Sequence, residues 1–276
     1  MIERFIIQEG LYDPGIFKAF FLAGGPGSGK SYVTQRITGG LGLKNVNSDN
    51  AFEKALKKAG LSLDMPPEEE YFRDKVRARS KAITGKSLDM YIQGRLGLVI
   101  DSTARDISKI ETGLAALKRL GYDCHMVFVN TSLEVALARN ASRSRTVPID
   151  IAKKSHAQIQ RNMGKLQMLF GMKNFYVIDN NKANDDVLAK AYKMIAKIVK
   201  KPITNHVAKM WMRKELEKKQ KMREDINIPI KVGDVVKGGK FKNKPIKVKK
   251  IGKNEKGDIT INDKPLLKVR IPNENN

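Results

Sequence analysis

The chain has 276 residues, of which 41% are hydrophobic, a content ordinary for a globular protein and enough for one large domain plus a small one. Its single cysteine excludes an internal disulfide, and no apolar run reaches the about 18 residues that a membrane span needs. The opening residues, Met-Ile-Glu-Arg, are not a secretory signal, so we expect a cytoplasmic protein with no membrane partner.

The charge of the chain is its most unusual bulk property. The net charge is +24 and the pI about 10.0. An excess of this size favours polyanionic partners such as nucleic acid, or anionic substrates. The alternative is a charged surface that only keeps the protein in solution. Charge alone does not distinguish a nucleic acid from a smaller nucleotide-like anion.

A glycine-rich segment fits the phosphate-binding pattern G-x-x-x-x-G-K-[ST] without a departure. Its residues are Gly24, Gly25, Pro26, Gly27, Ser28, Gly29, Lys30 and Ser31. The apolar residues before it predict a buried strand, and those after it predict the first turns of a helix. Backbone N–H groups of such a loop bind phosphate at the positive end of the helix dipole. Lys30 would reach the β- and γ-phosphates and the Ser31 hydroxyl would hold Mg²⁺, so we expect ATP and Mg²⁺ as cofactors. The alternative is a glycine-rich turn without a ligand.

Strand and helix patterns alternate five times through the first 200 residues, which predicts an α/β fold with a parallel five-stranded sheet and helices on both faces. Helices are expected at 51–58, after Pro67, and at 87–95, 106–120, 132–140, 149–170 and 185–200. Ligands of such sheets lie at the carboxyl ends of the strands. Gly24, Asp49 and Asp101 each stand at the end of a predicted strand, so we expect all three on one rim, with Asp101 helping to organise the metal.

The pattern changes after Pro202. Residues 203–225 predict a charged helical linker, and from 226 onward apolar and charged residues alternate between glycine-containing turns. We therefore expect a P-loop domain at 1–202, the linker at 203–225, and a small all-β, SH3-like or barrel-like basic domain at 226–276. Its lysine-rich face has two interpretations, nucleic-acid binding and the docking of a protein.

Phosphoryl transfer also needs a group that accepts the acceptor's proton, and positive charge over the transferring phosphate. Asp49 is a candidate base; the alternative is that it caps the helix that follows. Arg139, Arg143 and Arg145 lie at a helix end and in the loop after it. A loop folded over the P-loop could direct at least two of them at the phosphates, whereas the alternative is plain surface charge. His125 is interpreted as structural.

Three segments, 47–50, 100–105 and 139–150, resemble the kinase domain of bacteriophage polynucleotide 5′-kinase. Residues 100–105 and 145–148 also resemble the related zeta-toxin kinases, which phosphorylate nucleotide sugars. The resemblance covers roughly residues 15–200 and implies a P-loop kinase fold for that part of the chain. If the chain is phage-encoded, the cytoplasm in question is that of the host.

The resemblance also implies roles for individual residues. Asp49 matches the general base, and Lys30 and Ser31 match the P-loop lysine and the metal-site hydroxyl. Arg143 matches the arginine of the lid, the segment 139–148, that stabilises the transferring phosphate, and Arg139 the preceding lid arginine. Asp101 matches the acidic strand end that helps hold the acceptor in the toxin group.

The sequence departs from these families at several places. Phe52 stands where the polynucleotide kinase has an arginine that binds a nucleic-acid phosphate. No D-x-D-x-T phosphatase signature is present, and the last part of the chain matches neither family. The lid sequence and the net charge of +24 nevertheless lead us to expect an ATP- and Mg²⁺-dependent kinase whose leading acceptor is the 5′-OH of a nucleic acid. The alternatives are a kinase of a nucleotide sugar or other small hydroxyl compound, and a non-enzymatic nucleotide- and nucleic-acid-binding protein.

Overall fold

The structure is a computed structural model that describes residues 10–63, 66–143, 146–182, 185–224, 230–238, 243–254 and 258–266. Contacts within the chain divide it into two units, residues 1–215 and 216–276. The predicted domain boundaries at 202 and 225 stay predictions. Among the described residues, no helix has both the length and the apolar character that crossing a bilayer requires.

The first unit is organised around a five-stranded sheet with the strand order β2-β3-β1-β4-β5. Its strands are β1 (Lys18–Ala23), β2 (Lys44–Val46), β3 (Leu98–Asp101), β4 (Asp123–Asn130) and β5 (Phe175–Asp179). Every neighbouring pair is parallel. The predicted α/β fold with a parallel sheet is confirmed.

Helices connect the strands and cover both faces of the sheet. They are α1 (Lys30–Thr38), α2 (Ser48–Ala59), α3 (Glu70–Gln93), α4 (Ile107–Arg119), α5 (Leu133–Ala141), α6 (Ile149–Phe170), α7 (Asp185–Val199) and α8 (His206–Glu224). A short 3₁₀ turn, Pro67–Glu69, precedes α3. Because the strands are parallel, their carboxyl ends and the loops that follow them lie on one rim of the sheet.

The prediction of a separate helix at 87–95 was wrong, because α3 runs without a break from residue 70 to residue 93. Gly85 lies inside this helix, where a glycine costs roughly 1 kcal/mol relative to alanine. Packing compensates for that cost, since Leu88, Tyr91 and Ile92 lie against the apolar core. Tertiary contacts therefore override the local signal.

Strand β1 is buried on both faces, and its side chains alternate between two apolar clusters. Ala19, Phe21 and Ala23 join a cluster that includes residues of α4 and α6. Phe20 and Leu22 join a second cluster that includes residues of α1 and α7. Because the period of a strand is two, one six-residue strand anchors both layers of helices.

The first turns of α8 belong to the core of the first unit. Ala208 is fully buried, and the Trp211 ring lies 5.5 Å from the Phe17 ring in an edge-on arrangement. The guanidinium of Arg95 lies 5.5 Å from the centre of the Trp211 ring. The apolar residues of the first turns of this charged helix, Ala208, Trp211 and Met212, therefore pack against the first unit.

The second unit contains a small antiparallel β region, as predicted. β6 (Val235–Gly238) pairs with β7 (Lys244–Lys247), and β8 (Ile251–Lys253), β9 (Ile259–Ile261) and β10 (Lys264–Pro265) form a second sheet. Ile230, Val236, Val248 and Ile261 form its apolar core. The SH3-like topology stays a prediction, and residues 267–276 of the predicted domain lie outside the described residues.

Candidate functional site

The glycine-rich loop joins β1 to α1 at the carboxyl rim of the sheet. Gly27 and Gly29 have φ angles of 77° and 76°, in the left-handed region that favours glycine. A Cβ atom on Gly27 would overlap the carbonyl oxygen of Ala136, and one on Gly29 would overlap the side-chain nitrogen of Asn180. Neither position therefore has room for a side chain, and the backbone itself is the surface that the loop presents.

Two side chains from neighbouring strand ends hold the loop in this shape. The Asn180 Nδ2 donates a 2.7 Å hydrogen bond to the Ser28 carbonyl oxygen, and the Thr131 hydroxyl donates one of 3.2 Å to the same oxygen. The Ser28 hydroxyl is buried and has no hydrogen-bond partner among the described residues. A buried, unpaired hydroxyl beside a helix N-terminus suits a loop that binds an anion.

Lys30 and Asp101 meet at the mouth of the loop. The ammonium of Lys30 pairs with one oxygen of the Asp101 carboxylate, and the side-chain amide of Asn47 donates to the other. The Lys30 and Asp101 side chains are only 14% and 10% exposed. Burial lowers the pKa of Lys30 to about 8, an effect that the Asp49 carboxylate opposes and the Arg143 guanidinium strengthens. Lys30, which ends the P-loop, and Asn47, which follows β2, therefore both contact the carboxylate at the end of β3.

Asp49 lies in the first turn of α2, but it does not cap the helix. The cap is Asn47, whose Oδ1 accepts hydrogen bonds from the backbone N–H groups of Asp49 at 2.8 Å and Asn50 at 3.2 Å. The capping alternative for Asp49 was therefore wrong, and its carboxylate is available for other contacts. Its role as a base stays a prediction.

Arg77 of α3 contacts that carboxylate. Its Nη1 donates a 2.6 Å hydrogen bond to Asp49 Oδ1, while its guanidinium lies 4.7 Å from the centre of the Phe52 ring. The Asp49 side chain is 56% exposed and Arg77 29%. Stacking on an aromatic ring restrains the long arginine side chain, so the charge beside Asp49 is held in place.

The predicted lid arginines have different surroundings. Arg139, in the last turn of α5, donates a 2.7 Å hydrogen bond to the Asn180 carbonyl oxygen. Arg143 follows α5, is exposed, and lies close enough to Lys30 for its charge to lower the pKa of that lysine. Arg145 lies outside the described residues. One predicted arginine thus braces the loop after β5, and another faces solvent near the P-loop.

Ser31 and Asp101 are the residues that the sequence indicated for Mg²⁺, and their role as its ligands stays a prediction. Mg²⁺ is usually held by one or two carboxylates together with substrate phosphates. Asp101 and Ser31 supply a carboxylate and a hydroxyl at the mouth of the loop, and the described part of the chain contains no cluster of three His, Cys, Asp or Glu side chains. This donor set fits a metal that is bound jointly with ATP.

Four residues of the site escaped sequence reasoning: Asn47, Arg77, Thr131 and Asn180. Asn47 and Asn180 had a usable signal, since each is an amide residue directly beyond a strand. Arg77 had none, because its partner is 28 positions away in the chain. Its cation-rich helix is equally compatible with a solvated surface.

Comparison with known proteins adds the family. Residues 20–166, more than half of the chain, match the family model AAA_33, described as an AAA domain. No curated protein matches the chain in sequence.

Similar solved structures include three proteins. One, from Chloroflexus aurantiacus and described as a kinase, is 16% identical with a TM-score of 0.45. The match covers 65% of this chain and 97% of that protein's chain. A gluconokinase from Sinorhizobium meliloti 1021 is 16% identical with a TM-score of 0.42, covering 67% and 94%. A shikimate kinase from Acinetobacter baumannii is 18% identical with a TM-score of 0.40, covering 66% and 92%.

None of these matches tests the finer resemblance to polynucleotide kinase and zeta toxin, which stays a prediction. The family match begins in β1, takes in the P-loop, Asp49, Asp101 and both described lid arginines, and ends in α6. The chain therefore belongs to the AAA_33 family, and its fold is a parallel five-stranded sheet with a P-loop after β1.

Proposed function

We propose that the protein is an ATP- and Mg²⁺-dependent kinase that transfers the γ-phosphate of ATP to a hydroxyl group. The observation that carries the proposal is the connection at the loop mouth. The P-loop lysine, Lys30, is paired with Asp101, and Asn47 links that same carboxylate to the helix that bears Asp49. One short hydrogen-bonded chain thus runs from the phosphate-binding lysine through the metal-binding carboxylate to the backbone N–H of the residue that carries the candidate base.

Binding of ATP gives each of these groups a role. Lys30 exchanges Asp101 for the β- and γ-phosphates, which leaves an oxygen of Asp101 and the Ser31 hydroxyl for Mg²⁺. The metal neutralises charge on the phosphate oxygens when it is bound. The exposed Arg143 supplies positive charge to the phosphoryl group in transfer.

Asp49 acts as the general base. As the acceptor oxygen forms its bond to the γ-phosphorus and the bond to the β-phosphate oxygen breaks, the acceptor proton passes to the Asp49 carboxylate. Arg77 occupies Oδ1 of that carboxylate. Oδ2 is therefore the oxygen directed to the acceptor.

Nucleic acid is the leading acceptor in this proposal. The net charge of +24 supports it. The second unit supports it too, because Lys249 and Lys250 are exposed between β7 and β8. The backbone there is held by Asn262, whose Oδ1 accepts hydrogen bonds from the N–H groups of Lys249 at 2.7 Å and Lys250 at 3.1 Å. A small hydroxyl compound such as a nucleotide sugar is the second candidate, favoured by a cavity of about 640 Å³ beside β3, a size that suits a small molecule.

Transfer of labelled γ-phosphate tests the proposal. Parallel reactions contain 5′-OH DNA, 5′-OH RNA or a pool of nucleotide sugars, with Asp49→Asn as the control. Label on an oligonucleotide that disappears in the variant supports the leading acceptor, and label only on the sugar pool supports the second. Label on no acceptor would leave a nucleotide-binding protein without kinase activity and contradict the proposal.

A further inference from the structure

A polar cavity of about 640 Å³ opens directly after Asp101. Its walls are the loop after β3, the first turns of α4 and the middle of α6, with the lining residues Ser102, Thr103, Ala104, Arg105, Asp106, Ile107, Lys109, Ile110, Gln158, Asn162 and Lys165. We call it the β3 groove. We propose that the β3 groove binds a phosphate group carried by the hydroxyl acceptor, and this inference rests on the proposed kinase function.

The β3 groove lies close to the P-loop because α6 contacts both. The Ile159 side chain lies 3.5 Å and the Cα of His156 3.9 Å from the position of a Cβ on Gly25. Asn162 lines the groove three residues beyond Ile159, and helices rise 1.5 Å per residue, so the step along α6 is about 5 Å. At the other wall, Ser102 follows Asp101 and donates through its hydroxyl to the Leu22 carbonyl oxygen at 3.0 Å. A compound in the groove can therefore reach the loop mouth.

The wall formed by the loop after β3 is held in place by amide side chains of α6. Asn162 Nδ2 donates to the carbonyl oxygens of Ala104 and Arg105, each at 3.0 Å, and Gln158 Nε2 donates to that of Arg105 at 3.2 Å. Ala104 itself is buried and has a φ of 57°, so the backbone makes a fixed left-handed turn before Arg105. A ligand would meet a wall that is already ordered.

The charge of the groove favours an anion. Three cationic side chains line it, Arg105, Lys109 and Lys165, against the single carboxylate of Asp106. That carboxylate is engaged, since it lies 3.3 Å from the Lys109 ammonium and caps α4. Among the residues that the structure describes, the side chains of Arg105 and Lys165 have no ion-pair partner. Two cations, one from the loop after β3 and one from α6, can donate to the several acceptor oxygens of a phosphate.

Equilibrium binding tests the groove apart from catalysis. The full-length protein is first saturated with Mg²⁺ and the non-hydrolysable analogue β,γ-imido-ATP, so that the P-loop is filled. Calorimetry then gives the Kd of a 5′-OH nucleoside 3′-phosphate, of the bare nucleoside, and of UDP-glucose as a nucleotide sugar. The variant is Arg105→Gln/Lys165→Gln, and Lys190→Gln on α7, at the other face of the sheet, is the matched surface control.

We expect the wild-type protein to bind at least one phosphate-bearing compound ten or more times more tightly than the bare nucleoside. The double variant should lose that preference, and the control should keep it. Preference for the nucleoside 3′-phosphate identifies a nucleic-acid-like acceptor, and preference for UDP-glucose identifies a nucleotide sugar. Equal affinities for all three compounds, or a preference that the double variant retains, overturns the inference.

Kinetics separate this inference from the proposed function. In the double variant we expect a raised KM for the phosphorylated acceptor, with kcat and the KM for ATP unchanged. If the wild-type protein phosphorylates an acceptor and the variant shows the same KM, the groove is not the phosphate site and the kinase function stands. If no acceptor is phosphorylated at all, the kinase function fails, and the calorimetric preference still decides whether the groove binds phosphate.

Discussion

Both ends of the central sheet carry a buried lysine paired with an aspartate, but the two pairs have different surroundings. At the amino end, Lys18 of β1 is 3% exposed and lies 2.9 Å from Asp123 of β4, directly opposite in the strand register. At the carboxyl end, Lys30 pairs with Asp101 at the P-loop mouth. The first pair links two neighbouring strands, and the second lies at the mouth of the candidate site.

In the amino-end pair the lysine is buried, whereas the aspartate side chain is 43% exposed and contacts a histidine that packs against aromatic rings. His125 Nε2 lies 3.2 Å from the same Asp123 carboxylate, and its ring stacks on Phe20 at 5.4 Å and lies 6.0 Å from Tyr176. The contact with His125, followed by that with Lys18, holds the pKa of Asp123 well below its usual range despite the opposing effect of burial. The contacts of His125 lie at the amino end of the sheet, and its structural interpretation stays a prediction.

The carboxyl-end pair lies beside polar side chains that are exposed or have no hydrogen-bond partner among the described residues. The Ser28 hydroxyl has no partner among the described residues, and Asp49 and Arg143 are exposed. Burial lowers the pKa of Lys30 to about 8. The same residue pair therefore stabilises the fold at one end of the sheet and forms a candidate site at the other.

Replacement of the two lysines gives the largest expected contrast. Lys30→Ala should abolish phosphate transfer because the β- and γ-phosphates lose their cation. Lys18→Met should keep transfer at a temperature where the variant is folded. Transfer assays and circular dichroism on both variants check this. Transfer by Lys30→Ala at the wild-type rate would remove the distinction between the two ends.

The lid arginine gives the next largest effect. Arg143→Ala should lower kcat by about 10³ or more while weakening ATP binding less, because its charge meets the transferring phosphate mainly in the transition state. Steady-state kinetics together with an ATP binding titration separate the two quantities. An unchanged kcat with a raised KM for ATP would show that Arg143 only binds nucleotide.

A pH titration tests the lowered pKa of Lys30. The ammonium is fully charged well below pH 8 and loses its proton as the pH rises through about 8. ATP affinity should therefore fall above about pH 8, by at most about tenfold per pH unit. Fluorescence titration with an ATP analogue measures it. Lys30→Arg should flatten the profile, since a guanidinium stays charged throughout, and a flat wild-type profile would refute the assignment.

Stability gives the smallest effect, and it belongs to the other end of the sheet. Because the pKa of Asp123 is lowered in the folded protein, its contribution to stability is fully present above its unfolded pKa of about 4. It is lost progressively as the pH falls from there through the lower pKa of the folded state. Asp123→Asn should reduce the free energy of unfolding at pH 7 by about 1–2 kcal/mol, since the buried Lys18 loses its ion-pair partner. Urea unfolding at pH 7 and pH 3 measures this, and a mutational difference that persists unchanged at pH 3 would contradict it.

Sequence reasoning predicted the parts of the molecule that local patterns encode. The strand, loop and helix at 18–38 follow from apolar runs and glycine spacing, and the strand ends place Lys30, Asp49 and Asp101 on one rim. It missed the contacts that bring distant residues together. Asn47 and Asp101 are 54 positions apart, and Arg77 and Asp49 are 28 apart, so no local period records either pair. The break predicted before residue 87 failed for the same reason, since packing on the core keeps α3 continuous.

A matched pair of substitutions tests the central claim most directly. Asp49→Asn and Asp123→Asn make the same chemical change at opposite ends of the sheet, and single-turnover transfer of labelled phosphate from ATP is measured for both, together with ATP binding. We predict that Asp49→Asn binds ATP and loses transfer, whereas Asp123→Asn retains transfer and is only less stable. Transfer at the wild-type rate by Asp49→Asn would contradict the account, because the rim would then lack its proposed base.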